Sequence, residues 1–150
     1  MKNMISRDVV LLSLLVAVAA VSVVAQVKSR VRAQIPFAFS VANQTMPSGE
    51  YVIQAQAGGG QMVLIRSNDS KAAVFALTQG KQAKNTPDNT KLVFRRYGSQ
   101  YYLAQIWTKG EEAGTEFPVS KSERQTMKSL SDGKLAKADA QPEMITVVVD

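Results

Sequence analysis

Hydrophobic and polar residues alternate along much of this chain, beginning shortly after residue 34. The pattern is clearest at 35–41, where Ile, Phe, Phe and Val occupy every second position. A period of two is typical of a strand that buries one face and exposes the other. The sequence therefore predicts an all-β fold, either an antiparallel β-sandwich or a small barrel of about seven strands.

Turn residues separate the predicted strands. The segment 47–49 is a turn signal, because its Pro presets one backbone angle and its Gly permits a reversal of the chain. Residues 51–66 are predicted to form a hairpin around three glycines at 58–60. A polar turn at 67–70 precedes a further strand at 72–78. The order of these connections favours a meander.

The strongest hairpin signal lies at 91–97 and 101–107, two arms rich in aromatic and β-branched residues. They are joined by a short Gly-Ser-Gln turn. Because aromatic side chains gain most from cross-strand packing, we expect this hairpin at the centre of a sheet. The β-branched segment 145–149 is predicted to return as the final strand.

Strict alternation assigns the side chains of this hairpin to faces. Leu92 and Phe94 share one face of the first arm. Tyr102, Ala104 and Ile106 share one face of the second arm. The sequence therefore predicts that these three residues point to the same side of the sheet.

Two polar stretches and one helix complete the predicted domain. Residues 79–90 and 109–116 are predicted to be surface loops, because they are polar and contain Gly or Pro. Ser120 and Glu123 have the spacing of a capping box, in which each side chain binds a free backbone N–H of the other residue. We therefore expect one short helix near 121–130, lying on the surface at an edge or open end of the sheet.

The N-terminal segment has the pattern of an export signal. A basic start precedes an apolar run at 9–25, and a small residue, Ala25, closes the run. The sequence predicts a signal peptide at 1–25, a linker at 26–34 and a single β domain at 35–150. Cleavage near Ala25 would release a periplasmic or extracellular protein. The alternative is a membrane anchor formed by residues 9–25, which is a short span for a bilayer.

The composition excludes several chemistries. The chain has no Cys and no His. Disulfides, thiolate nucleophiles, zinc sites built from Cys or His, and Ser-His or Cys-His catalysis are therefore ruled out. The sequence identifies no catalytic residue, no metal ligand and no cofactor.

The charge of the chain says little about its partners. There are 18 Lys and Arg residues against 12 Asp and Glu, a net charge of +6, and the basic residues are spread along the sequence. A nucleic-acid site usually concentrates them on one face, so no nucleic-acid partner is expected. The partner stays unknown, with an envelope component or self-association through exposed sheet edges as the open alternatives.

The most suggestive side chains are four aromatic residues of the central hairpin: Tyr97, Tyr101, Tyr102 and Trp107. Since they fall on alternating faces, some of them should point away from the core. Exposed rings on a sheet can stack on sugars, peptides or lipid-like ligands. Ordinary cross-strand packing explains the same pattern, so these four are weak ligand-binding candidates.

Several short motifs occur together in this chain. In chain order they are Ile35-Pro36-Phe37-x-Phe39, Met46-Pro47-x-Gly49-x-Tyr51, Lys91-Leu92-Val93-Phe94-x-Arg96-Tyr97-Gly98, Tyr102-Leu103-x-x-Ile106-Trp107 and Ser120-x-x-Glu123-Arg124. Together they resemble the motifs of a family of small exported bacterial proteins of unknown function. The resemblance covers most of residues 31–149 and implies bacterial origin and export. It brings no established activity and no catalytic residue.

These observations lead to one functional hypothesis and two alternatives. The first is an exported, non-enzymatic module that acts by binding or by association with the envelope. The second is a carrier of a small apolar ligand in a β cavity lined by Phe37, Phe39, Phe94 or Ile106. The third is an enzyme without His or Cys that uses carboxylates on a polysaccharide, which requires two acids across a cleft.

Overall fold

The computed structural model describes residues 30–55, 61–132 and 141–149. Strands make up 57% of them, which confirms the all-β class. The strands are β1 (Arg30–Ile35), β2 (Phe39–Val41), β3 (Gln44–Met46), β4 (Gly49–Ala55), β5 (Met62–Ser67), β6 (Ala73–Leu77), β7 (Gln79–Gln82), β8 (Thr90–Tyr97), β9 (Gln100–Trp107), β10 (Ala113–Glu116) and β11 (Glu143–Val149). The helix α1 spans Lys121–Asp132.

The first sheet has four antiparallel strands in the order β1-β4-β5-β6. Its β4–β5 pair confirms the arms of the hairpin predicted at 51–66, while the glycines at 58–60 lie outside the described residues. β6 forms one edge of this sheet, and β7, which follows it after a single residue, belongs to the other sheet. In the described part of the chain the two sheets stay separate and do not close into a barrel.

The second sheet has the order β11-β8-β9-β10-β7. Its β8–β9 pair confirms the predicted central hairpin, and β11 confirms the predicted final strand. The β2–β3 hairpin joins this sheet through one parallel bridge, between Ser40 and Tyr102. The predicted meander holds only locally, because β1 pairs with β4 and β11 pairs with β8 across intervening elements.

The core lies between the two sheets. Each strand of the first sheet contributes alternate buried side chains, such as Val31, Ala33 and Ile35 from β1. From the second sheet, Phe39 of β2 meets Tyr51 of β4 edge to face, with ring centroids 5.2 Å apart. Among the described residues the core begins at Val31, so a chain starting at residue 26 keeps every core residue that the structure describes.

The described ranges contain eleven strands, four more than the seven predicted. Two of them lie in the segments 79–90 and 109–116, so the prediction that these segments are loops was wrong in part. β7 and β10 lie in these segments and pair with each other. Both strands are polar, so they show no apolar alternation. Their side chains are joined by an ion pair in which Lys81 donates to Glu116, and this hydrogen bond lowers the pKa of the Glu116 carboxyl.

The prediction that Tyr102, Ala104 and Ile106 share a face was wrong. Val93 pairs with Gln105 but Phe94 pairs with Leu103, so Ala104 is an extra residue in β9. Such a β-bulge shifts the alternation by one position. Ile106 therefore belongs to the core, whereas the Tyr102 hydroxyl lies 2.7 Å from the hydroxyl of Thr126 on α1.

Helix α1 confirms the helix predicted near 121–130 and extends to Asp132. Its N-terminus has two caps. Ser120 Oγ accepts from the backbone N–H of Glu123 at 3.1 Å, and Asn43 Oδ1 accepts from that of Ser122 at 2.9 Å. The helix contacts the outer face of the second sheet rather than an edge or open end, because Glu123 and Thr126 bind side chains of β8 and β9.

The first described strand begins earlier than the sequence suggested. β1 starts at Arg30, within the segment assigned to a linker at 26–34, because Val31 and Ala33 are buried against the core. It ends at Ile35, since Pro36 has no backbone N–H with which to continue the ladder. The predicted signal peptide lies outside the described residues.

Candidate functional site

The four aromatic residues singled out from the sequence lie in different surroundings. Tyr97 and Tyr102 are buried between the second sheet and α1, with ring centroids 5.9 Å apart. Tyr101 lies on the other face and stacks on Phe37 at 4.0 Å. Trp107 is buried, and its Nε1–H donates to Gln105 at 2.9 Å. The structure does not bring the four together, and their role in ligand binding stays a prediction.

Tyr97 belongs to a buried polar cluster that sequence reasoning missed. Its hydroxyl donates to Glu123 Oε1 at 3.1 Å. Arg95 Nε donates to the same oxygen at 2.5 Å, and an Arg95 terminal nitrogen donates to Oε2 at 3.0 Å. Burial, and then the charge of Glu123, raise the pKa of Tyr97 to about 12. Its phenol is therefore a neutral hydrogen-bond donor at physiological pH.

The capping-box pattern explains why this cluster was missed. Ser120 caps the backbone of Glu123 as predicted, but the carboxylate of Glu123 points at the sheet and is only 1% exposed. Arg95 also donates to the Phe117 carbonyl at 3.2 Å. The arrangement holds α1 onto the second sheet, with Glu123 and Tyr97 both buried.

A small apolar cleft lies between the two sheets. Its volume is about 200 Å³, below the ~300 Å³ at which ligand pockets usually begin. Ile106 lines it together with Val31, Ile53 and Val63. The phenylalanines expected in a carrier cavity instead pack on neighbouring rings, as Phe37 does on Phe94 with centroids 5.1 Å apart.

The outer face of the first sheet is the other candidate surface. Alternation along β1, β4, β5 and β6 directs one set of side chains to the core and the other set away from it. We call the outward set the basic–apolar face. Its defining residues are Arg30, Arg32 and Arg66, and the apolar Met62, Leu64, Phe75 and Leu77.

The basic half of this face lies on β1 and β5. Strand pairing places Arg32, Val52 and Arg66 in one row across three strands, so the two arginines are two strand spacings apart, roughly 10 Å. Arg30 lies two residues along β1 from Arg32. Together the three side chains line a groove of about 210 Å³.

The three arginines have no ion-pair partner among the described residues, whose ion pairs all involve other side chains. Glu50 lies on the same face and keeps its charge, while its carboxylate accepts a hydrogen bond from the Asn68 amide at 3.0 Å. Its backbone N–H donates to Asp69 at 2.7 Å. The described residues that line the groove include the three arginines and no acid, so the groove is positively charged and open to an anion.

The apolar half of the face lies on β5 and β6. Met62 pairs with Leu77, and Leu64 pairs with Phe75, so the four side chains are contiguous. Phe75 is 60% exposed and Leu77 69%. Exposed apolar side chains that are contiguous, rather than scattered, mark interaction surfaces. The row that contains Leu64 and Phe75 continues across the sheet to Arg30, which joins the two halves.

In the described part of the chain, the acidic side chains do not gather in a group able to hold a metal ion. The described part also contains no helix long and apolar enough to cross a membrane. Comparison of the chain with family models, curated proteins and solved structures gives no match. The family resemblance drawn from the motifs thus stays a prediction.

Proposed function

We propose that this chain is an exported, non-enzymatic module that binds an anionic component of the bacterial envelope through the basic–apolar face. The observation that carries the proposal is the set of three arginines, Arg30, Arg32 and Arg66, on one open sheet face with no described acidic partner. Arginine binds phosphate and carboxylate groups through parallel N–H donors. Three guanidinium groups around one groove can therefore hold a polyanionic surface.

The composition and the buried polar cluster also support a binding role. Without His and Cys, a catalytic mechanism would depend on carboxylates, Tyr, Lys or Ser. Two such side chains, Glu123 and Tyr97, are buried: the Glu123 carboxylate accepts hydrogen bonds from the Tyr97 hydroxyl and from Arg95. These groups stabilise the fold, whereas Arg30, Arg32 and Arg66 form no ion pair with any residue that the structure describes.

Sedimentation with envelope fragments tests the proposal. A chain starting at Gln26 is mixed with washed bacterial envelope and centrifuged, and the bound fraction is measured against salt concentration. The charge variant replaces Arg30, Arg32 and Arg66 with Gln. We expect it to remain in the supernatant, because about 1 kcal/mol is lost per basic residue removed from an anionic surface.

A matched control separates local charge from net charge. Lys121, Arg124 and Lys128 are exposed on α1, which contacts the opposite sheet. Replacing all three with Gln removes the same net charge and should leave sedimentation close to that of the unaltered chain. Equal sedimentation of the unaltered chain and the triple-arginine variant would overturn the proposal, as would turnover of an envelope substrate by the purified protein.

A further inference from the structure

We infer that the anionic partner is a phospholipid bilayer, and that the basic–apolar face lies flat on its surface with Phe75, Leu77 and Met62 inserted. This inference rests on the proposed function and names its partner. The observation behind it is the apolar half of the face, because a purely ionic interaction would not require exposed apolar side chains. An interfacial protein combines the two features, since apolar side chains enter the boundary between headgroups and acyl chains while basic ones bind headgroup phosphates.

The arrangement of side chains fits a planar surface. The row Arg30, Gln54, Leu64 and Phe75 crosses all four strands of the first sheet, and three strand spacings correspond to roughly 14 Å. Arginine has a long apolar stem and a charged end, so its guanidinium can reach phosphates at the level of the headgroups while the neighbouring apolar side chains lie deeper.

The apolar half favours a bilayer over a soluble polyanion. A charged polysaccharide offers hydroxyl and carboxylate groups but little apolar surface, and so gives no reason for Phe75 and Leu77 to be 60% and 69% exposed. An acidic peptide held by an arginine cluster would use only the charged half of the face. The side chains of Phe75 and Leu77 project from the sheet face next to those of β5, where a bilayer can take up both.

The start of the domain is consistent with this orientation. Four residues, 26–29, separate the apolar run at 9–25 from Arg30, so the five steps from Ala25 to Arg30 span at most about 18 Å. If the run is retained as an anchor, the basic–apolar face begins within that distance of the membrane. If it is cleaved, the same face is available for reversible binding.

The absence of Cys from the chain allows a direct test. Phe75→Cys in the chain starting at Gln26 gives a single position for a fluorophore that shifts to the blue in apolar surroundings. Met144→Cys is the matched control, because Met144 is 50% exposed on β11 of the other sheet. The vesicles contain phosphatidylcholine alone or with about one third phosphatidylglycerol.

We expect a blue shift for the label at position 75 on anionic vesicles, and none for the label at 144. Replacing the three arginines with Gln should weaken binding to these vesicles roughly a hundredfold. Replacing Phe75 and Leu77 with Ser should weaken it at least about tenfold, and this loss should persist at high salt because it does not depend on charge.

A soluble polyanion, dextran sulfate, distinguishes failure of this inference from failure of the proposed function. Arginine-dependent binding to dextran sulfate, with no blue shift at position 75 on vesicles, would overturn the bilayer inference and leave the proposed function in place. Binding to neither vesicles nor dextran sulfate would overturn both. Equal shifts for the labels at 75 and 144 would contradict the orientation.

Discussion

The Glu123 carboxylate on α1 accepts two hydrogen bonds from the Arg95 guanidinium on β8, at 2.5 and 3.0 Å. The carboxylate is 1% exposed, and the backbone N–H of the same residue is capped by Ser120. One residue thus begins the helix and attaches it to the sheet. Because the pair is buried, removing one partner would leave the other as an unpaired charge inside the protein. The cost of that unpaired charge, rather than the attraction between the two groups, is the main energetic effect of the pair.

Glu123→Ala should therefore be strongly destabilising. It leaves the guanidinium of Arg95 buried without a counter-charge, for which we expect a loss of about 3–5 kcal/mol in the free energy of unfolding. Urea denaturation followed by circular dichroism measures this. Glu111→Ala, in an exposed loop position, is the control and should change the free energy of unfolding by less than about 0.5 kcal/mol.

A double variant tests the physical reason. When Arg95 and Glu123 are both replaced with Leu, no buried charge is left unpaired, so the double variant should be more stable than Glu123→Ala. If the double variant were the less stable of the two, the attraction between the charges, rather than the cost of burying one alone, would be the main contribution.

The raised pKa of Tyr97 predicts a loss of stability in alkali. Below pH 10 the phenol is protonated in both the folded and the unfolded chain, so its contribution is intact. Between the ordinary pKa of 10.0 and the folded value of about 12, the unfolded chain binds fewer protons and the free energy of unfolding falls. Two pKa units correspond to a total on the order of 2–3 kcal/mol.

Tyr97→Phe should make this alkaline slope shallower, because Phe does not ionise. Part of the slope should remain, since burial also raises the pKa of Tyr51. Near pH 7 the variant should lose about 1 kcal/mol with the hydrogen bond to Glu123. The measurement is the free energy of unfolding against pH for both proteins. Parallel curves above pH 10 would contradict the assignment to Tyr97.

Gly114 in β10 is predicted to tolerate no larger residue. A Cβ at this position would overlap the Trp107 ring, and the resulting overpacking should cost roughly 1–3 kcal/mol. Gly80 in the neighbouring β7 is the matched control, since beyond its own residue and its two chain neighbours no heavy atom of the described residues lies within 4 Å of an added Cβ. Thermal unfolding of Gly114→Ala and Gly80→Ala gives the comparison. A similar melting temperature for both would contradict close packing of Gly114 against Trp107.

The sequence predicted the parts of the fold that depend on local pattern. The β8–β9 hairpin, the final strand and the capped helix follow from alternation and from the Ser120–Glu123 spacing. The turn at 47–49 also has a local cause: Gly49 has a positive φ of 152°, and the Tyr51 hydroxyl donates to the Pro47 carbonyl at 2.5 Å. Such features involve residues close together in the chain.

The features that were missed depend on distant pairings. β7 and β10 form a ladder between polar segments more than thirty residues apart, through backbone hydrogen bonds that need no apolar pattern. The bulge at Ala104 moves Tyr102 and Ile106 to opposite faces, which strict alternation cannot foresee. The basic–apolar face needs the register of four strands, because Arg32 and Arg66 become neighbours only through β4.

Replacing arginine with lysine tests how the basic–apolar face recognises its partner. Lysine keeps the charge but lacks the planar pair of donors that arginine offers to a phosphate. If Arg30, Arg32 and Arg66 bind headgroup phosphates directly, the triple Lys variant should bind anionic vesicles more weakly than the unaltered chain and more tightly than the triple Gln variant. If they act only through long-range attraction, the Lys variant should match the unaltered chain. Vesicle flotation at low salt, and again at about 0.5 M salt where the Debye length falls to a few ångströms, separates the two cases.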